Sequence, residues 1–173
     1  VNYQLASKGL YLKEGTVVDA TIIAAPPSTK NKSKSRDPEM RSTKKGNQYY
    51  FGMKAHIGAD AASGLVHTLV TTAANVHDVN QAHALLHGEE QQVYGDSGYL
   101  GADKREENKD KDVEWVVAMR HGKRRKLRDS GTEEGQLADK IEKLKSRIRA
   151  KVEHPFYWVK VHFGHRKTRY RGL

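Results

Sequence analysis

The sequence predicts an α/β domain in which helices pack on a mixed sheet of about five strands. Three observations carry this. Short β-branched and apolar runs recur at 16–24, 91–95 and 113–119, separated by segments able to form helices. Two alternating runs, 49–57 and 65–73, flank the turn-forming stretch 58–64 and read as a long antiparallel hairpin. A long amphipathic helix over 133–153 carries Leu137, Ile141, Leu144, Ile148 and Val152 on one stripe.

The elements follow in order. Residues 1–15 are mixed and give little signal, whereas 16–24 are rich in Val, Thr and Ile and form the first strand. Residues 26–47 hold two prolines, then Lys30, Lys32, Lys34, Arg36, Arg41, Lys44 and Lys45 among Ser, Thr and Asn, and read as a basic mobile loop. The hairpin comes next. Asp78 is placed to cap a helix over about 79–87, which Gly88 would end. A strand at 91–95 leads into Asp96, and 102–109 suit a helix. Val113, Trp115, Val117 and Met119 alternate as a last strand. Residues 120–128 concentrate Arg120, Lys123, Arg124, Arg125, Lys126 and Arg128 before the long helix. Pro155 then predicts a kink or restart, since proline cannot donate to a helix and discourages helical geometry at His154.

Length and charge bound the function. At 173 residues the chain fits a single domain, 1–173, with a sizeable core. Its 31 Lys plus Arg against 21 Asp plus Glu give a formal charge of +10, which favours a polyanionic partner. No apolar run approaches the roughly 20 residues of a membrane span, and no signal peptide is evident. The absence of cysteine excludes a disulfide framework and thiolate metal sites. The composition is compatible with a cytoplasmic protein. The chain begins at Val1 and closes on a basic run from Arg166, so a fragment truncated at both ends is expected.

Against this basic background three carboxylates stand out: Asp19, Asp96 and Glu153. Asp19 interrupts the apolar run of the first strand, Asp96 opens Gly95-Asp96-Ser97-Gly98-Tyr99, and Glu153 lies near the end of the long helix. An ionised carboxylate in an apolar element is costly unless a cation compensates it. Three of them from separate elements would offer hard oxygen ligands to Mg²⁺ or Mn²⁺. On the helix, Ser146, Arg149, Glu153 and Lys160 share a stripe distinct from the apolar one. Singly, each acid has an ordinary reading: a solvent-facing strand residue, turn chemistry, and an i,i+4 ion pair worth a few tenths of a kcal/mol. The joint pattern favours a site. His83 and His87 have the i,i+4 spacing of metal pairs but show no third ligand, and read as helix-surface residues.

The pattern Arg149-x3-Glu153-x6-Lys160, with Asp96-x-Gly98-Tyr99 upstream and Val18-Asp19 in the first strand, resembles the DDE transposases of bacterial insertion sequences. It is closest to the branch whose last motif reads Tyr-x2-Arg-x3-Glu-x6-Lys. The stretches Asn75-Val76-His77-Asp78, Val152-Glu153-His154-Pro155-Phe156 and Lys167-Thr168-Arg169-Tyr170-Arg171-Gly172-Leu173 extend the resemblance over about 15–173. It implies an RNase H-like mixed five-stranded sheet flanked by helices. It also implies Asp19, Asp96 and Glu153 as catalytic ligands of two Mg²⁺ (or Mn²⁺) ions, and metal-dependent cleavage and strand transfer of double-stranded DNA at element ends and target. Arg149 and Lys160 would hold phosphate oxygens near the scissile bond. Lys44, Lys45, Lys123, Arg124, Arg125 and Lys126 would follow the DNA backbone, and the full-length protein would act as a homo-oligomer on DNA. One position departs from the branch: its tyrosine is Ser146 here, a shorter side chain that cannot stack on a base. A DNA-binding remnant with impaired catalysis and another RNase H-like nuclease are the alternatives.

Overall fold

The computed structural model describes residues 2–10, 14–30 and 32–168, so the end of the basic C-terminal stretch, 169–173, lies outside the described residues. Six strands form one mixed sheet: β1 (Gly15–Ala24), β2 (Arg41–Lys45), β3 (Gln48–Asp60), β4 (Val66–Ala73), β5 (Gln92–Gly95) and β6 (Glu114–Val117). Among the described residues three α-helices accompany it: α1 (Asn2–Ser7), α2 (His121–Asp129) and α3 (Glu133–Tyr157). The architecture is α/β and RNase H-like, as expected, with one strand more than the sequence predicts. The extra strand is β2, which lies within the stretch expected to be a loop. Backbone pairing from Arg41↔Gly52 to Lys45↔Gln48 holds it on β3 despite its polar side chains.

β1 is the middle of the sheet. It runs antiparallel to β3 from Thr16↔Asp60 to Ala24↔Gly52, and parallel to β5 only over Gly15–Val17. β6 extends the sheet parallel to β5. The 13 residues of β3 are long enough to carry β2 and β4 end to end on its other edge. The predicted hairpin is thus β3–β4, and Asp60 fixes its turn by accepting from the Ala62 and Ser63 N–H groups at 3.0 and 2.5 Å.

Because β1 is covered on both faces, its adjacent Val17 and Val18 are both fully buried, one in each layer. Val18 joins Ala82, Leu85, Val93, Tyr99 and Ala102 under a 3-10 helical segment, Asp78–Leu85. Val17 joins Ile57, Ala59 and Val152, packing α3 on the opposite face. Burying each such valine contributes about 1.5–3 kcal/mol. The 3-10 segment lies so close to the sheet that a Cβ at Gly58 would sit 2.3 Å from the Leu85 carbonyl oxygen.

Several local expectations are corrected. The segment after Asp78 is 3-10, not α, and Asp78 makes no cap; the residue preceding the helix is His77. Of 102–109, only Ala102–Lys104 is helical: the backbone turns extended at Arg105, and Asn108 Nδ2 donates to the Ala102 carbonyl at 3.0 Å. The basic run 120–128 belongs largely to α2. α3 begins where Thr132 Oγ1 accepts from the Gly135 N–H at 3.1 Å. It passes through Pro155 and then widens into a π-helical turn, Trp158–His162. The Trp158 N–H shared between the His154 and Pro155 carbonyls marks the change of winding.

The apolar stripe of α3 is only half buried. Ile148 and Val152 pack on the sheet. Leu137, Ile141 and Leu144 are 60, 46 and 56% exposed. In the first half of the helix the inward positions are polar. Asp139 pairs with Arg124 of α2 and Glu142 accepts from the Met119 N–H just after β6, at 2.9 and 2.8 Å. These contacts set the rotation of the helix and turn the leucines outward.

Candidate active site

β5 ends at Gly95, while β1 continues for several residues beyond its last β5 partner, Val17. Carrying the parallel register on by two residues brings Asp96 level with Asp19. Alternation puts Asp19 on the α3 face, with Val17 two residues before it in the same layer. The crevice outside the carboxyl ends of parallel strands is where open α/β sheets bind ligands.

Asp19 is largely buried. Burial pushes its carboxyl up from 3.8 to about 6; the Ala20 N–H, donating at 2.7 Å, opposes this, and Asp96 adds repulsion that the Arg149 guanidinium partly offsets. Asp78 adds a weaker repulsion. Asp96 is held by its own turn, its Oδ1 accepting from the Gly98 N–H at 2.8 Å. A Cβ on Gly98 would lie 2.8 Å from that oxygen and 3.8 Å from Asp78 Oδ2, so Asp96 and Asp78 line the same small space, which glycine keeps open. Tyr99 is fully buried, and its hydroxyl has no hydrogen-bond partner among the described residues. Burial and then Asp78, Asp19 and Asp96 hold that hydroxyl firmly in its neutral, protonated form.

Asp78 departs most from the sequence expectation. In place of a cap, its carboxylate faces the sheet and accepts from Lys54 Nζ at 2.9 Å, with His56 Nδ1 at 3.8 Å. The available signal lies in β3. There Lys54 and His56 alternate with the apolar Met53, Ala55 and Ile57, marking two basic groups on the face beneath Asp78. Burial keeps His56 below its usual range and therefore neutral, while its Nε2 pairs with Thr72 Oγ1 at 2.8 Å.

Asp19 and Asp96 therefore come together, with Arg149 of α3 as the cation acting on Asp19 and Asp78 as an added acid. Glu153 stands on α3 one turn past Arg149, about 6 Å along the axis. It is exposed, in a groove that Ala150, Phe156, Lys160 and Arg166 also line. Lys160 is half-buried there; burial and then the charges of Lys45 and Arg166 hold its ammonium below the ordinary range. Arg166 Nε donates to the Lys160 carbonyl at 3.1 Å and so belongs to the same cationic group, although no motif in the sequence singles it out. Lys44 lies over the Tyr49 ring, 5.5 Å from its centroid. On α2 the cations divide. Arg124 is bound to Asp139 at 2.9 Å and Arg125 meets Asp129 at 3.5 Å, whereas Lys123 and Lys126 are exposed. Ser146 Oγ donates to the Glu142 carbonyl at 2.8 Å within its own helix.

The sheet is RNase H-like, carries acids at the carboxyl end of its parallel strands, and belongs to a chain of strong positive charge. The family model described as Transposase DDE domain matches residues 11–173, and the chain belongs to that family. It is a transposase domain, of a family that acts on DNA in transposition and uses divalent metals. No solved structure matches the chain. Among the described residues, no helix is long and apolar enough to cross a membrane.

Proposed function

We propose that this domain cuts double-stranded DNA at the ends of its element and joins the freed 3′-hydroxyl to target DNA. In this reading Asp19, Asp96 and Glu153 hold two divalent ions, Mg²⁺ or Mn²⁺. The observation that carries it is the approach of Asp19 to Asp96 where β5 ends, with burial and mutual repulsion acting on Asp19. Like charges gathered in a partly buried space call for a cation, and carboxylate oxygens suit a hard one. The donor set therefore fits the ions the family uses. When bound, they supply a nucleophile at neutral pH and stabilise charge on the attacked phosphate and its leaving oxygen.

The rest of the work belongs to the chain. The Arg149 guanidinium, already close to Asp19, holds a non-bridging phosphate oxygen beside the acids. Lys160, Lys45 and Arg166 form a second cationic group along the groove of Glu153 and bind the adjoining backbone phosphate. Lys44, Lys123 and Lys126 extend the track. Arg124 and Arg125 contribute through the field of α2, since their own guanidinium groups have carboxylate partners. Residues 1–173 act as one catalytic domain, and the protein assembles as a homo-oligomer on DNA.

The test is Mg²⁺-dependent nicking and strand transfer by wild type and Asp96→Asn. Loss of both in the variant supports the proposal, and undiminished activity refutes it. One observation favours a second reading, a DNA-binding remnant. Ser146 replaces the family's tyrosine and turns its hydroxyl back onto its own helix. DNA binding with no metal-dependent nicking by the wild type would select that reading. Nicking without any joined 3′-hydroxyl product would select a different RNase H-like nuclease.

A further inference from the structure

A second cluster of metal-ligating side chains lies at the other end of β5. Glu90 precedes this strand and Asp96 follows it, so roughly 15–20 Å of extended chain separates the two. His67 comes from β4, His87 and Glu90 from the connection into β5, and their ligand atoms all lie within 4.8 Å of one another. His87 Nε2 is 3.5 Å from Glu90 Oε1, and the two imidazole rings meet edge to face with centroids 4.9 Å apart. This is not the His83–His87 pair suggested by spacing. The 3-10 segment ends at Leu85 and Leu86 is extended, so His87 does not share a helix with His83 and turns instead to β4.

The cluster has the support a metal site needs. Glu90 is only 8% exposed. Its oxygens are oriented by the His87 and Gly88 N–H groups at 2.5 and 2.7 Å, and by Thr16 Oγ1 at 3.2 Å. Thr16 Oγ1 also lies 3.1 Å from His67 Nε2, and Thr68 Oγ1 lies 2.8 Å from His67 Nδ1; one of these contacts gives way to the ion and the other orients the ring. Such outer contacts fix ligand orientation and tune affinity.

We propose that His67, His87 and Glu90 form a Zn²⁺ site, separate from the acidic cluster, that clips the start of β1, β4 and the connection before β5 together. Two imidazoles and one carboxylate match a borderline ion, not Mg²⁺, and leave a fourth position for water. Bonds of about 2.0–2.2 Å place tetrahedral ligand atoms about 3.3–3.6 Å apart. The His87–Glu90 separation already meets this, and side-chain rotation closes the remainder. Ligation through His87 Nε2 requires the tautomer protonated at Nδ1: the proton leaves Nε2 and one is taken up at Nδ1 through solvent, opening the long 3.2 Å contact from the Glu89 N–H.

The test uses the full 173-residue chain. Co²⁺ is titrated in and its visible ligand-field band followed, then displaced with Zn²⁺; thermal unfolding is measured with and without Zn²⁺. Expected are one equivalent of four-coordinate Co²⁺ and a Zn²⁺-dependent rise in Tm. Both persist in Asp96→Asn. In His87→Ala, affinity falls by more than the roughly 100-fold that outer contacts can account for. His87 is partly exposed, so far-UV circular dichroism of that variant is expected to match wild type; Glu90→Gln serves as a second ligand variant. Absence of the band and of the Tm shift in wild type overturns the proposal. So does a band that survives in both His87→Ala and Glu90→Gln, or one that vanishes in Asp96→Asn.

Discussion

Replacing Asp19 by asparagine is expected to stabilise the fold while abolishing the chemistry, and the size of the gain follows from its surroundings. Burial, opposed by the Ala20 N–H and reinforced by Asp96, raises the carboxyl from 3.8 to about 6 in the folded protein. In the unfolded chain it keeps the ordinary value. Between about pH 4 and about pH 6 the folded state therefore holds a proton that the unfolded state has lost. The stability associated with that proton is fully present below pH 3.8 and disappears as pH rises through about 6. The difference corresponds to roughly 3 kcal/mol. Asparagine stays neutral throughout, and its carbonyl can still accept from the Ala20 N–H. The variant therefore escapes this loss.

Urea denaturation of both proteins from pH 4 to pH 8, without divalent ions, reads the effect directly. The advantage of Asp19→Asn is expected to be small at pH 4 and to grow to roughly 3 kcal/mol by pH 8. Mg²⁺ at 100 times its dissociation constant would then return about 2.7 kcal/mol to the wild type and little to the variant. A difference that stays flat with pH, or an equal response of both proteins to Mg²⁺, would refute the reasoning, because Asp19 would then carry no confined charge.

Other outcomes follow from neighbouring contacts. Gly98→Ala sets a Cβ 2.8 Å from Asp96 Oδ1; we expect nicking to fall about 10–100-fold with unchanged circular dichroism, and wild-type rates would show that the carboxylate has room to move. Lys54→Ala removes the 2.9 Å partner of the part-buried Asp78 and is expected to cost roughly 1.5–3 kcal/mol in urea denaturation. Lys123→Ala with Lys126→Ala is expected to reduce the slope of log affinity for duplex DNA against log salt by about 0.9 for each phosphate these lysines neutralise. Arg124→Ala, whose partner is Asp139, is expected instead to lower the Tm with little change in that slope.

What is legible in the sequence divides along physical lines. β1, the β3–β4 hairpin and α3 are driven by side-chain patterns of period two or 3.6, and those patterns are local. β2 is not: Arg41-Ser42-Thr43-Lys44-Lys45 carries no apolar alternation, and it becomes a strand because the 13 residues of β3 leave an edge to pair with. The outward turn of Leu137, Ile141 and Leu144 is equally hidden, since Asp139 and Glu142 take the inward positions only once α2 and the end of β6 supply the partners. The site splits the same way. Asp19 and Asp96 are visible as acids placed against their strands. Asp78 is not, because in sequence an aspartate before a helical stretch looks like a cap. Its partner Lys54 lies 24 positions away, and only the folded sheet turns Lys54 toward it. A carboxylate whose neighbours are chosen by tertiary contacts cannot be sorted from a capping one by local pattern. Asp78 therefore belongs beside Asp19 and Asp96 in any account of how this domain's acidic cluster is charged, and the Lys54→Ala variant is the direct way to separate its structural share from its electrostatic one.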